Sequence, residues 1–258
     1  MKLKATIILA VLFTAFLTNA QEENKKNNIS PSKGSFSFEV DFLPFSNSGP
    51  INLNAFRGRY FLSDKLVLNL NFNFDSKKQH YESPSSYQNY LVFDTEDGRF
   101  TVFGLGSGLE YHFLPESRIS PYIGVNATYE MKRSSYESID HVYNSYPVSG
   151  VIQRKTEVEN AWPGMMIIGI DQFGNPVYSY MSDERAYNSI KANVVLGADI
   201  YIIKHLYMGF ELGMGLDSKN YKEVVIKVDG NLDTKYPKAS DLTFGLNFNN
   251  ALRLGIWF

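Results

Sequence analysis

The chain has 258 residues, 44% hydrophobic, 15% aromatic and 20% charged, with a formal net charge of −2 and no cysteine. That length suits one domain, and the near-neutral charge without a basic stripe excludes an ordinary nucleic-acid binder. The lack of Cys excludes disulfides, thiolate chemistry, Cys-based zinc sites and a lipid-modified N-terminal Cys. The mean hydropathy of −0.22 is that of a soluble chain, yet it also fits a β-barrel in which only alternate strand residues meet lipid.

Residues 1–20 read as a cleaved signal peptide. Lys2 and Lys4 form the positive start, Ala5 to Leu17 the apolar stretch, and Thr18-Asn19-Ala20 a small-residue cleavage site. Its removal takes away two positive charges, so the mature chain is expected near −4 (−2 minus 2). Residues 21–33 are polar, with QEENKKNN at their core, and read as a flexible tether. Beyond residue 20, no stretch approaches the roughly 18 apolar residues of a spanning helix.

From Gly34 onward the dominant signal is alternation with a period of two, the mark of strands with one apolar face. Phe36, Phe38, Val40 and Phe42 share one face, then Phe56 to Leu62, then Leu66, Leu68, Leu70, Phe72 and Phe74 opposite Asn69, Asn71 and Asn73. Strands follow at Phe103–Phe113, Pro121–Met131, Ile190–Ile202, Leu206–Leu216 and Leu242–Phe258. The links at Ser63–Lys65, Leu114–Ser120 and Ile203–His205 are short. Those at Pro44–Pro50, Ser76–Gly98, Arg133–Tyr187 and Asp217–Asp241 alternate with them, and three of the four are long. Tight turns at one end and long loops at the other are expected of an all-β, eight-stranded antiparallel up-and-down transmembrane β-barrel with long extracellular loops. Both mature termini would then be periplasmic. A secreted soluble barrel or sandwich is the rival, but the polar strand faces hold Gly and Asn rather than the Lys of a wetted sheet.

The polar faces carry the charges of most interest. Glu39, Arg57, Arg59, Glu110, Asp199, Glu211 and Arg253 all fall a few residues inside the short-turn ends, where a narrow lumen demands that charges be paired or wetted. Arg253 is expected between Glu39 and Glu211. A lumen ion network is the expected result; an ion path is the sharper alternative. Gly104, Gly106 and Gly108 share a strand face and make room for bulk across it, rather than forming a nucleotide loop. His80 and His141 have Ser83, Ser138 and Asp140 nearby in sequence, which raises lipid-modifying chemistry, but a triad is defined by geometry. No catalytic, metal or cofactor set emerges.

The stretch Arg133–Tyr187 is too long for a structureless loop. Met165–Ile170 and Pro176–Tyr180 are expected to form a projecting hairpin. Tyr143, Tyr146, Trp162, Met165, Met166, Phe173 and Tyr178 supply the aromatic and Met side chains enriched at interfaces, so they form a candidate partner surface or a lid over the mouth.

The last residues, Leu252-Arg253-Leu254-Gly255-Ile256-Trp257-Phe258, resemble the terminal strand signal of Gram-negative outer-membrane proteins. Leu252, Leu254, Ile256 and Phe258 match it, and Asn250 departs from it. The hairpin Arg59 to Leu66 and the strand opening Ser120 to Gly124 are similar to the small outer membrane protein β-barrel domain families related to the OmpA and OmpX barrels. The resemblance implies insertion by the barrel-assembly machinery, contact with outer-membrane lipid and residence in the outer membrane, and it is silent on activity. The expected role is a non-enzymatic binding or accessory component of the envelope, including as a subunit of a secretion or assembly complex, with envelope proteins as partners through the external loops. The alternative is a stand-alone structural barrel, with an enzyme or small pore behind both.

Overall fold

The computed structural model describes residues 29–42, 51–87, 90–144, 150–162, 164–170, 176–181, 184–248 and 252–258. Its described elements are all strands: β1 Phe36–Phe42, β2 Ile51–Phe61, β3 Leu66–Tyr87, β4 Tyr90–His112, β5 Ile119–Asn144, β6 Gly150–Glu159, β7 Gly164–Ile170, β8 Pro176–Met181, β9 Tyr187–Ile203, β10 Leu206–Tyr221, β11 Val224–Val228, β12 Asn231–Tyr236, β13 Ala239–Phe248 and β14 Leu252–Trp257. The expected signal segment and most of the tether lie outside the described residues, as does the Pro44–Pro50 link.

Eight strands close on themselves. β1 pairs β2, the ladder continues through β3, β4, β5, β9 and β10, and β14 pairs both β10 and β1, all antiparallel. The short links gather at one end of this ring, where Phe36 faces Tyr60, Leu66 faces Tyr111, His112 faces Tyr122 and Leu206 faces Ile256. Local chemistry fixes these turns. Ser63 Oγ accepts the backbone N–H groups of Lys65 and Leu66 at 3.3 and 3.0 Å, a Ser-turn. His205 takes a left-handed φ of 71° in the β9–β10 turn. The last residue of the expected tether and the residue after it are fastened here, since Lys33 N–H donates to Asp64 Oδ1 and Gly34 N–H to the Phe61 carbonyl, at 2.9 and 2.8 Å.

The ring is inside out by the standard of a water-soluble protein. The outward residues Leu70, Leu105 and Leu196 are 55, 53 and 56% exposed, whereas the inward Arg59, Glu110 and Asp199 are 1, 1 and 0%. Burial in the ring is therefore mostly polar. The apolar exception is a floor at the short-turn end, where Tyr201, Tyr207 and Trp257 cluster, with Phe61 and Val67 also buried. Close approach of polar side chains is made possible by inward glycines. A Cβ at Gly104 would collide with Asn73, at Gly106 with Thr128, at Gly108 with Asn126, and at Gly255 with Tyr207.

Three links expected as long loops are largely strands. β3 and β4 run together to the facing pair Tyr87 and Tyr90, and β5 continues to Asn144. Thirteen residues of β3 follow Phe74 (87 minus 74), a reach of about 43 Å at 3.3 Å per residue. β5 leaves β9 after Lys132 and takes β6 from Ser135 onward. β6 in turn pairs β11, and β11 pairs β12. The result is a sheet β3-β4-β5-β6-β11-β12 continuing beyond the ring, packed on one face by Val158, Ala161, Val224, Ile226 and Tyr136. β7 and β8 form a separate two-stranded sheet at the position expected for a hairpin.

The strand expected over Leu242–Phe258 is divided into β13 and β14. Leu212 faces Phe248 while Gly209 faces Arg253, so three steps on β10 meet five on the other strand. The two extra residues are an even number, so the inward and outward faces are kept across the break.

Candidate functional site: the charged interior

Alternation alone sends one side chain of every two inward, and eight strands leave an interior only wide enough for side chains. All seven charged residues singled out in the sequence meet there, just above the aromatic floor. Arg59 lies at the centre. It donates to Glu39 Oε1 at 2.8 Å and Asp199 Oδ2 at 2.7 Å, and also to Glu110. Its guanidinium lies over the rings of Tyr122 and Tyr207, 5.6 and 5.9 Å from their centroids. Arg253 sits between Glu39 and Glu211, at 3.0 and 3.6 Å, and donates to the Tyr122 hydroxyl. Arg57 forms a two-pronged contact with Glu211 at 2.9 and 3.3 Å, and its Nε donates to Asn71 Oδ1 at 2.7 Å. Forked contacts of this kind fix orientation as well as charge.

Four carboxylates thus face three guanidinium groups, and neutral partners occupy much of the remaining bonding capacity. Tyr207 donates to Glu39 at 2.7 Å, Tyr122 to Glu211 at 2.9 Å and Asn69 to Glu110 at 2.8 Å. His112 Nε2 lies 3.0 Å from Arg59 Nη2, and a guanidinium only donates. The same nitrogen is 3.5 Å from Glu110 Oε2, and the other ring nitrogen, Nδ1, lies 2.8 Å from Ser120 Oγ. Among the described residues, Arg59 Nε, Arg253 Nε and Asp199 Oδ1 are buried without a hydrogen-bond partner. Tyr122, Tyr207, Asn69 and Ser120 were not among the residues singled out, although their inward parity follows from the same alternation.

Above this cluster the interior opens into a cavity of about 470 Å³. Asn71, Asn73, Asn126, Asn193 and Thr128 line it, with Arg57 and Arg253 below and Lys191 and Asp217 above. A second polar knot borders its far side. Glu130 accepts from Tyr187, Lys191 and Asn73 at 2.6, 3.1 and 3.1 Å, and Ser189 donates to Asp217 at 2.5 Å. From the short-turn end upward the interior is therefore an aromatic floor, an ion cluster, an amide-lined cavity and a smaller ion cluster.

The remaining candidates lie elsewhere. His80 bonds Asp97 at 3.1 Å and Glu82 at 3.4 Å, and these bonds raise its pKa above the ordinary 6.5. His141 bonds Asp94 at 3.0 Å, and Ser138 Oγ donates to Asp140 at 3.3 Å. The two imidazoles are thus engaged with carboxylates, not with the nearby serines. Among the described residues, no group of three metal-ligating side chains is assembled. Of the candidate partner residues, Trp162 packs back on its own sheet, against Gly98 and Phe100, with Lys77 Nζ 5.3 Å above its ring. Tyr143, Met165, Met166 and Tyr178 fall in β5, β7 and β8, while Tyr146 and Phe173 lie outside the described residues. Leu252, Leu254 and Ile256 share the outward face of β14, half-buried between β1 and β10.

No protein-family model matches the chain, and no curated protein matches it significantly.

Proposed function

We propose that this chain is an integral outer-membrane β-barrel, exported through its N-terminal signal, that holds an external β-sheet platform for a partner in the envelope. The observation that carries this reading is the inversion of burial around the ring. A ring of strands with leucine outside and arginine and glutamate inside would expose a large apolar surface in water, which soluble monomers avoid. In a bilayer, the same distribution is the favourable one. The outward positions Leu66, Leu68, Leu70, Phe72 and Phe74 span roughly 27 Å along the strand. That length, shortened by strand tilt, is close to the apolar band about 25 Å tall expected of such barrels. Aromatic pairs border the band: Phe36–Tyr60 and Tyr111–Phe113 toward the short turns, and Phe72–Phe103 toward the other end.

The interior supports a non-conducting, non-enzymatic role. Its charges are spent on one another and on tyrosines, asparagines and a histidine, and the ion cluster and aromatic floor together obstruct the axis. The elaborated part is the sheet beyond the ring, which suits recognition by a protein partner. The barrel assignment also accords with the resemblance of the terminal strand to the outer-membrane assembly signal.

The test is mild-detergent purification of the tagged full chain from native membranes, with mass spectrometry of what accompanies it. Recovery from the outer-membrane fraction with a stoichiometric partner is expected. A lone barrel would favour the structural role, and recovery from the soluble fraction would overturn the membrane reading.

A further inference from the structure

The outward faces of β3, β4 and β5 line up in rows that change character abruptly where the apolar band ends. Phe74, Phe103 and Met131 face one another across the three strands, and the next row is Ser76, Thr101 and Arg133. Lys78, Arg99 and Ser135 follow, then His80, Asp97 and Glu137. In that last row, and on neighbouring β6 and β11, opposite charges are matched. His80 meets Asp97 at 3.1 Å, Lys155 meets Glu137 and Glu157 at 3.3 and 2.7 Å, and Lys227 meets Glu159 at 2.6 Å.

The two rows beneath are different. Lys78 and Arg99 stand directly opposite each other, and Arg133 is diagonal to Arg99, with no carboxylate of the described residues bonded to any of the three. Like charges directly opposite on a sheet repel. The hydroxyls there are held ready beside them: Arg99 Nε donates to Ser135 Oγ at 2.8 Å, and Ser76 Oγ lies 3.3 Å from Thr101 Oγ1. Arg99, Arg133, Ser135 and Lys222 also border a cleft of about 670 Å³. Glu159, which borders it too, is engaged by Lys227.

We propose that this patch binds the phosphate groups of a phosphorylated lipid headgroup in the outer leaflet. The inference rests on the barrel reading above, because only a bilayer around the apolar band brings headgroups to this height. Two residues of strand advance about 7 Å, so both cationic rows lie within a headgroup layer's depth of Phe74, Phe103 and Met131. Three cations with three hydroxyls match the charge and the acceptor oxygens of phosphate. A protein ligand would not require like-charged cations to stand directly above the apolar band.

The test uses the full chain reconstituted in phosphatidylcholine vesicles with a small fraction of bisphosphorylated lipid A or its phosphate-free counterpart. Insertion is read by flotation and protease protection, and lipid retention by native mass spectrometry after extraction. Preferential retention of the phosphorylated lipid is expected. Lys78→Gln/Arg99→Gln should lower that retention by more than about tenfold, at roughly fivefold per cation, while insertion stays unchanged. The same double variant should melt at a higher temperature in a zwitterionic detergent, because the repulsion is gone. Retention that ignores phosphate or the substitutions, or displacement by inorganic phosphate as readily as by the lipid, would overturn the headgroup site and leave the barrel intact. Failure of the wild-type chain to insert in any vesicle would overturn the barrel and the site together.

Discussion

Replacing Arg59 by Met removes the central cation of the interior cluster while keeping most of its volume. Glu39 would keep Arg253 at 3.0 Å, and Glu110 would keep Asn69 at 2.8 Å with Arg57 at 3.7 Å. Asp199 would lose its 2.7 Å bond and, among the described residues, retain Arg253 at 3.9 Å as its ion-pair partner. Breaking a buried pair by removing one partner costs about 3–5 kcal/mol, chiefly through the charge left behind. With a urea slope near 2 kcal/mol per M, the unfolding midpoint should fall by roughly 1.5–2.5 M. The assay is urea unfolding of the folded chain in detergent, followed by tryptophan fluorescence and by the mobility of unboiled samples on gels. Arg59→Met/Asp199→Asn should recover about 1–3 kcal/mol, since the orphaned carboxylate is then neutral. A midpoint unchanged in Arg59→Met, or a double variant less stable than the single one, would refute the pairing scheme.

Gly215 and Gly245 face each other across β10 and β13. A Cβ at Gly215 would run into the Ala192 backbone, whereas one at Gly245 would meet nothing within 4 Å. Gly215→Ala should therefore lower stability by about 1–3 kcal/mol, and Gly245→Ala should be neutral or stabilising by up to about 1 kcal/mol; the same urea assay ranks them, and equal effects would contradict the packing described. His80 should titrate above 6.5 in an NMR pH series, because hydrogen bonds to Asp97 and Glu82 favour its charged form. The help this gives the β3–β4 hairpin is fully present below 6.5 and is lost as pH rises through the raised value; a His80 titration that Asp97→Asn leaves in place would count against the contact.

What the sequence conveys depends on whether the two faces of a strand meet different surroundings. Leu66 to Phe74 alternate because one face is apolar and the other polar, and the same parity brings Glu39, Arg57, Arg59, Glu110, Asp199, Glu211 and Arg253 together. Beyond Phe74 both faces of β3 are polar, as in Lys77-Lys78-Gln79-His80, so the periodic signal vanishes and a strand reads as a loop. Pro84 reinforces that reading, although a proline is tolerated on the unpaired edge β3 has after Asn73. The β11–β12 hairpin did leave a local trace. Asp229-Gly230, with φ of 51° and 78°, is the dipeptide favoured in a two-residue turn between strands. The cationic rows at Lys78, Arg99 and Arg133 had no such trace, since they are scattered in sequence and meet only through the register of three strands.

The outward apolar face is expected to meet lipid, and the absence of native cysteine allows this to be tested one position at a time. Leu70→Cys, Leu105→Cys and Leu196→Cys, with Asn71→Cys as the inward control, would each carry a small fluorophore in reconstituted vesicles. Quenching of the three outward labels by lipids brominated on their acyl chains is expected, with little effect of aqueous iodide, and no acyl-chain quenching at position 71. Outward labels quenched by iodide and untouched by brominated lipid would contradict that expectation.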